Sequence, residues 1–291
     1  MQPSTTVVAE EGRPIDRVAR QVQEISSLPI VAMRVMEVTN DANAGAVHLK
    51  TVLESDAALS ARVLRLVNSS AYGIQQRVTN LQAAIAFLGF RQIRNLALTA
   101  SISDIFRGNA EIGAYSRPSL WRHLVSVGIC ARMVAMRRRM DSFEDVFLAG
   151  LLHDVGIILE DQYDHENFER MMSSLSGQAT LEDSEHKVLG YTHAVLGKVI
   201  ADRWRFPELV VAAIRHHHDA AVPSGEHQQA LRCVQLANTL CTYKGISSIG
   251  VNLLRPPMDA INGLGLTKPD IEALLVDVDE ELVRHSMLFS M

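Results

Sequence analysis

The sequence predicts an all-α protein, helices packed on helices with no sheet. Three observations carry this. The apolar fraction is 47% and comes mainly from Ala, Leu, Val and Ile, while aromatics are only 5%. Apolar positions recur at helical spacing in segment after segment. No run alternates apolar and polar residues as a half-buried strand would, and no internal repeat is present. A length of 291 residues fits one large unit or two closely packed ones.

Residues 1–24 are polar and predict a loosely ordered start. Pro29 suits the first turn of a helix carrying Ile30, Met33, Val35 and Met36. Asp56 is a good N-cap for the next helix, where Leu59, Val63, Leu66 and Val67 form one apolar stripe. Thr79 is positioned to cap the segment LQAAIAFLGF, which Gly89 ends. Residues 91–106 again place Ile93, Leu96, Ile102 and Ile105 at helical spacing. The stretch GNAEIGAYSRP, 108–118, reads as a joint. A long helix over roughly 119–138 follows and closes on Arg137-Arg138-Arg139, read as a solvated end that complements the helix dipole. Later helices are expected near 143–152, 156–175, 181–189, 192–204, 207–218 and 227–243, with Thr192 and Pro207 as start signals. A loop with Pro256-Pro257 precedes a final helix from about 268, whose apolar residues either close the fold or join two chains as a homodimer.

A net charge of −5 gives no global attraction for nucleic acid or anionic membrane. Arg91 and Arg94 share a helix face, and Arg107 and Arg137–Arg139 add local basic charge. Acidic net charge and few aromatics nevertheless argue against nucleic-acid binding. Cys130, Cys233 and Cys241 are odd in number and lack CxxC spacing, so they read as reduced thiols. The first residues lack a signal-peptide core, and no apolar run reaches membrane-spanning length. A cytoplasmic protein is therefore expected.

Candidate chemistry lies in the second half, in His123, His153-Asp154, His193 and the run His216-His217-His218. His153-Asp154 stands between the apolar runs FLAGLL and VGIIL. A buried His and Asp need partners, because unpaired burial is costly, and a metal ion is one such partner. Imidazole and carboxylate donors suit zinc, iron or manganese, and the lack of a nearby Cys argues against a thiolate-rich structural zinc. Alone, His123 reads as a packing residue, His193 as a helix-start residue and the triple run as a polar helix end. Neighbours on a helix point about 100° apart, so one or two of His216–His218 can face one site. Together, the order His, His-Asp, His, His-His over four helices reads as one bundle-core metal site.

The segments WRHLVSVGICARM, AGLLHDVGII and YTHAVLGKVIADRWRFPELVVAAIRHHHD resemble the HD superfamily of metal-dependent phosphohydrolases. LPIVAMRVMEV, LESDAALSARVLRLVNSSAYG and AIAFLGFRQIRNLALT resemble its HDOD subgroup, the HD-related output domain, over roughly residues 25–245. The resemblance implies an N-terminal helical bundle, 25–115, packed against an HD-like bundle, 116–245, with a closing segment 246–291. It assigns His123, His153 and Asp154 to a first metal, and His193 with His216 or His217 to a second, Asp154 bridging. The superfamily's last metal-binding Asp falls near Asn238, an amide that binds a divalent cation more weakly. Ile157 stands where related phosphodiesterases have a phosphate-binding Lys, and the GYP signature is absent after His218, where the chain reads DAAVPSGE. Two functions follow as expectations. One is a regulatory module that contacts signalling proteins or binds a nucleotide-like ligand around one or two divalent ions. The other is a metal-dependent phosphohydrolase or phosphodiesterase acting on a nucleotide or cyclic dinucleotide, with Asp154 as its catalytic carboxylate.

Overall fold

A computed structural model describes residues 13–25, 29–41, 43–108, 111–175, 180–250 and 257–290. Residues 1–12 of the polar start and Pro256 lie outside these, as do residues 109 and 110 of the expected joint. In chain order the helices are α1 (Pro14–Ile25), α2 (Ile30–Asn40), α3 (Ala46–Glu54), α4 (Ala57–Val67), α5 (Leu81–Leu88) and α6 (Phe90–Ile102). Then come α7 (Arg117–Arg137), α8 (Phe143–Leu152), α9 (Val155–Tyr163), α10 (His165–Ser174), α11 (Leu181–Val188) and α12 (His193–Arg203). The last are α13 (Glu208–His216), α14 (Gln228–Tyr243), α15 (Met258–Gly263) and α16 (Lys268–Arg284). One hydrophobic cluster runs from Ala32 in α2 through α7, α8 and α14 to Leu288. No helix among the described residues is long and apolar enough to cross a membrane.

Several boundaries differ from the sequence expectation, each for a local reason. The polar start contains α1, whose Val18, Ala19 and Val22 pack on Leu159, Leu196 and Ile200 as a separate small core. An amphipathic stripe on so polar a segment is easily read as no helix. Asn80, not Thr79, caps α5, its Oδ1 accepting from the Ala83 amide at 2.8 Å. Residues 103–106 tighten into a 3₁₀ turn rather than extending α6. The expected helix 156–175 breaks at Asp164, which leaves the helical region at φ −138° and ψ 42°. Helices α3 and α15 are additional. The joint 108–118 holds a two-residue hairpin pairing Glu111 with Ser116 and Ile112 with Tyr115, a minimal exception to the absence of strands. Asp56, Gly89, Thr192 and Pro207 stand at the helix boundaries expected of them.

The basic residues near 91–107 and 137–139 are largely occupied within the protein. Arg94 is buried and pairs with Asp145 at 2.9 Å, Arg107 pairs with Asp104 at 2.9 Å, and Arg137 pairs with Asp277 on α16. Helix α16 packs on α7 through Leu274 and Val278. The indole Nε1 of Trp121 donates to the Leu288 carbonyl at 3.2 Å, so the C-terminal segment closes the fold.

A buried carboxylate ties the hairpin to α9. Asp161 accepts from Arg117 Nε at 2.6 Å, Arg117 Nη2 at 3.2 Å, Tyr115 Oη at 2.8 Å and His165 Nδ1 at 2.9 Å. Burial alone would raise its pKa, but the bonds from Arg117 and Tyr115 outweigh it and hold it below the ordinary 3.8. A carboxyl depressed on folding stabilises above its unfolded pKa and loses that stabilisation as pH falls through the folded value. Thermal stability is therefore expected to drop below about pH 4. Asp161→Asn should flatten that acid limb and lower stability at pH 7 by about 3 kcal/mol, since it strands a half-buried guanidinium. Calorimetry between pH 3 and 7 checks both.

Candidate metal centre

Five helices bring their ends or inner faces to one point. Helix α7 supplies His123 from its second turn, the α8–α9 junction supplies His153 and Asp154, and α12 starts at His193. Helix α13 ends at His216, so His217 and His218 lie in the turn beyond it. Glycines permit the close approach. A Cβ at Gly150 on α8 would meet Gly128 Cα on α7 at 3.0 Å, and one at Gly156 would meet the His193 carbonyl oxygen at 2.0 Å. Thr192 caps α12, its Oγ1 accepting from the Val195 amide at 3.3 Å.

Each inner imidazole is pinned by its Nδ1. His123 Nδ1 donates to the Ile246 carbonyl at 2.8 Å and His153 Nδ1 to the Gly150 carbonyl at 2.7 Å. His217 Nδ1 donates to the Ile214 carbonyl at 3.0 Å, and His193 Nδ1 to Glu185 Oε1 at 2.7 Å. Carbonyl and carboxylate oxygens only accept, so Nδ1 carries the hydrogen in each ring. In the neutral ring, Nε2 is then a lone-pair acceptor. The four Nε2 atoms turn inward. His123 and His153 face each other at 3.4 Å, His193 and His217 at 3.2 Å, and His218 Nε2 lies 3.1 Å from that of His193.

Asp154 lies among them. Its Oδ2 is 3.3 Å from His153 Nε2 and 3.6 Å from His123 Nε2. Its Oδ1 is 2.8 Å from His217 Nε2 and 3.3 Å from His193 Nε2, and this buried oxygen has no hydrogen-bond partner among the described residues. Burial opposes its charge, yet His153 and His217 hold its pKa well below the carboxylate range. Burial, joined by the neighbouring His153, lowers His123 to about 4, and burial also lowers His217. Burial opposes charge on His193 too, but Glu185 and Asp154 outweigh it and raise its proton affinity well above an ordinary imidazole. The centre is thus an anion among imidazole nitrogens, with His193 the ring that most readily holds a proton, and a bound cation would take that proton's place. Deprotonated carboxylate and neutral imidazole are the forms a divalent metal needs. The donor set fits such an ion, with Asp154, His193, His217 and His218 in one group and His123, His153 and Asp154 in the other.

The sequence-derived candidates divide as follows. His123, His153, Asp154, His193 and His217 meet. His216 does not, because it is the last residue of α13 and turns outward. Its Nδ1 donates to Asp219 Oδ2 at 2.7 Å, beside a surface cavity of about 380 Å³ lined also by Phe206, Arg215 and Lys198. Asn238 is half-buried and accepts from Thr242 Oγ1 within its own helix at 3.4 Å. Ile157 is a core residue, 1% exposed.

Two contributors lie outside the ligand set that the sequence and the resemblance assign, His218 of the triple run and Glu185. His218 joins because the helix stops, which frees it from the 100° step. It keeps a solvent edge while its Nε2 faces His193. Glu185 orients His193 through both its ring and its backbone amide, the latter bond 3.2 Å long. Behind it, Glu160 is fully buried, neither of its oxygens has a hydrogen-bond partner among the described residues, and burial together with Glu185 pushes its pKa well up. No spacing rule pairs residue 185 with 193, since the turn through Gly190 makes the contact.

An all-helical bundle gathering these histidines around one His-Asp pair defines an HD-type helical scaffold. Residues 25–220 match the HDOD domain, and the chain belongs to the HDOD family. Its fold is similar to that of an HDOD domain protein from Geobacter sulfurreducens, at TM-score 0.75 and 24% identity, covering 94% of this chain and 97% of that one. A proposed signal-transduction protein from Marinobacter aquaeolei VT8 shares the fold at TM-score 0.74 and 24% identity, with 96% and 64% covered. A proposed phosphohydrolase from Shewanella amazonensis SB2B does so at TM-score 0.68 and 22% identity, with 94% and 96% covered. An uncharacterized protein of Treponema pallidum (strain Nichols) is 23% identical over 227 residues, 76% of this chain, and the chain spans 43% of that relative's length.

Proposed function

We propose that this protein is a metal-centred regulatory module whose output is contact with a signalling protein or a bound ligand, rather than turnover. Residues 25–115 would form one helical unit and 116–245 the unit that holds the metal. His123, His153, Asp154, His193, His217 and His218 would hold a divalent transition ion such as zinc, iron or manganese. The observation that carries the regulatory reading is Ile157. The position that resembles a phosphate-binding Lys holds a side chain sealed in the core, and among the described contacts no Lys or Arg reaches the donor cluster. A phosphate ester brings negative charge that this shell does not offset. Among the described donors His218 alone is exposed to solvent, which suits ion loading better than substrate binding.

One observation favours the alternative, a metal-dependent phosphohydrolase. Asp154 sends one oxygen to each donor group, as a shared carboxylate in a two-metal hydrolase would. When bound, such an ion supplies Lewis acidity to a phosphoryl oxygen. Asp154 would then orient the attacking water, and Glu185 would keep His193 in place.

Turnover separates the two. Purified protein loaded with manganese, iron or zinc is expected to hydrolyse cyclic dinucleotides and nucleotides well below about 1 per second, the low end of ordinary enzyme rates. Rates above that would establish the hydrolase instead. His217→Ala adds a second criterion. In a regulatory module with a structural ion it should lower thermal stability by about 2–4 kcal/mol at saturating metal. In an enzyme it should abolish turnover and leave the fold largely intact.

A further inference from the structure

The two donor groups around Asp154 are unequal. Four protein atoms surround the first: Nε2 of His193, His217 and His218, and Asp154 Oδ1, all within 4.8 Å of one another. Their edges are 3.1 Å for His218–His193, 3.2 Å for His193–His217, 3.3 Å for His193–Asp154 and 2.8 Å for His217–Asp154. An ion bonded at about 2.0–2.1 Å in a tetrahedron has ligand–ligand edges of about 3.3 Å. Four of the six edges are thus close to the length that a tetrahedral zinc requires, and the remaining two, from His218 to His217 and to Asp154, lie within 4.8 Å. Glu185 completes a carboxylate–imidazole–metal arrangement behind His193, which raises the basicity of that ligand. His218 gives the ion a route in from solvent.

The second group has three donors: Nε2 of His123 and His153, 3.4 Å apart, and Asp154 Oδ2 at 3.6 and 3.3 Å from them. No further His, Cys, Asp or Glu among the described residues completes the fourth corner. Asn238, the residue that the family pattern would place there, carries no charge, and its oxygen accepts from Thr242. Four-ligand closed sites are structural, whereas three-ligand sites keep a position for an exogenous donor.

We infer that the protein retains a single structural ion in the His193–His217–His218–Asp154 pocket, and that the His123–His153 pocket takes an ion only when an outside donor completes it. This rests on the metal-centre reading above. It makes the resident ion a staple joining α9, α12 and the end of α13, and it makes the second pocket a ligand-dependent sensor position.

The test uses the full chain stripped by chelator, reloaded with excess zinc and dialysed, with metal measured by plasma emission. Wild type is expected to keep one equivalent. His218→Ala, at a solvent-exposed position where truncation leaves the core intact, should lower zinc affinity by at least about tenfold and lose its ion on dialysis. His123→Ala should still keep one equivalent. Because His123 is buried and its truncation also strains the fold, cobalt(II) substitution of the wild type gives an independent readout. One equivalent should produce the intense visible bands of a four-coordinate ion, and a second should add only weak absorbance. Two equivalents retained alike, or His218→Ala keeping its ion, would overturn the asymmetry while leaving the metal centre in place. Failure of zinc, iron and manganese all to bind would overturn the metal centre as well.

Discussion

Gly156→Ala is expected to destabilise the fold by about 3 kcal/mol or more, the upper range for overpacking, and to lower the melting temperature by at least about 6 °C. The added carbon would lie 2.0 Å from the His193 carbonyl oxygen, 2.6 Å from its carbon and 2.9 Å from its Cα. All three are backbone atoms at the first residue of α12, so no side-chain rotation relieves the clash. Helices α9 and α12 must separate by more than about 1 Å, given that ordinary contact begins near 3.4 Å. Asp154 and His193 are fixed to those two helices, so the 3.3 Å approach of Oδ1 to Nε2 opens with them. Metal retention should fall together with stability. Gly150→Ala provides the graded comparison, since its carbon meets Gly128 Cα and the Val127 oxygen at 3.0 Å and needs a smaller shift. Calorimetry and metal content on the two variants should therefore rank Gly156→Ala as the more damaged in both. A Gly156→Ala protein that melts with wild type would mean that the α9–α12 contact does not set the site.

How far this geometry was legible in the sequence depends on the range of each contact. Caps and apolar stripes are local, so Asp56, Gly89, Thr192 and the Leu59–Val67 stripe were readable from neighbours alone. Thr79 against Asn80 shows the limit of that reading, because two adjacent residues both have capping side chains and only backbone geometry chooses between them. His153-Asp154 stood out because burying His and Asp inside apolar helices demands a partner, whereas His123, His193 and His217 emerged only from their order along the chain and the family resemblance. The register at a helix end was not legible. His216 and His218 have the same composition and neighbours, and which one faces inward depends on α13 stopping at residue 216. Glu185 and Glu160 were invisible for a different reason, since their roles come from a long-range fold-back that no periodicity encodes. Helix α1 was missed because its mean hydropathy is low and only its partners on α9 and α12 justify its stripe.

Asp154→Asn should abolish the metal's effect on stability. In wild type the carboxylate is buried among four inward-facing nitrogens, and its Oδ1 has no hydrogen-bond partner among the described residues, an arrangement that a bound cation would stabilise. Chelator should thus lower wild-type stability by about 4 kcal/mol relative to protein holding an ion at 1,000 times its Kd. The Asn side chain has nearly the same shape but replaces one acceptor oxygen with an NH₂ donor. That donor can bond an imidazole lone pair at His217 or His193, and the buried charge is gone. The variant should lose the resident ion and the capacity to load the second group, because each contains one oxygen of this residue. Its melting temperature should be the same with and without chelator. In chelator it should equal or exceed wild type, while with zinc it should fall below. Two melting curves for each protein decide this. If Asp154→Asn is less stable than wild type under chelator as well, then the carboxylate contributes to folding through contacts other than an ion, and the donor cluster is a packed core rather than a binding centre.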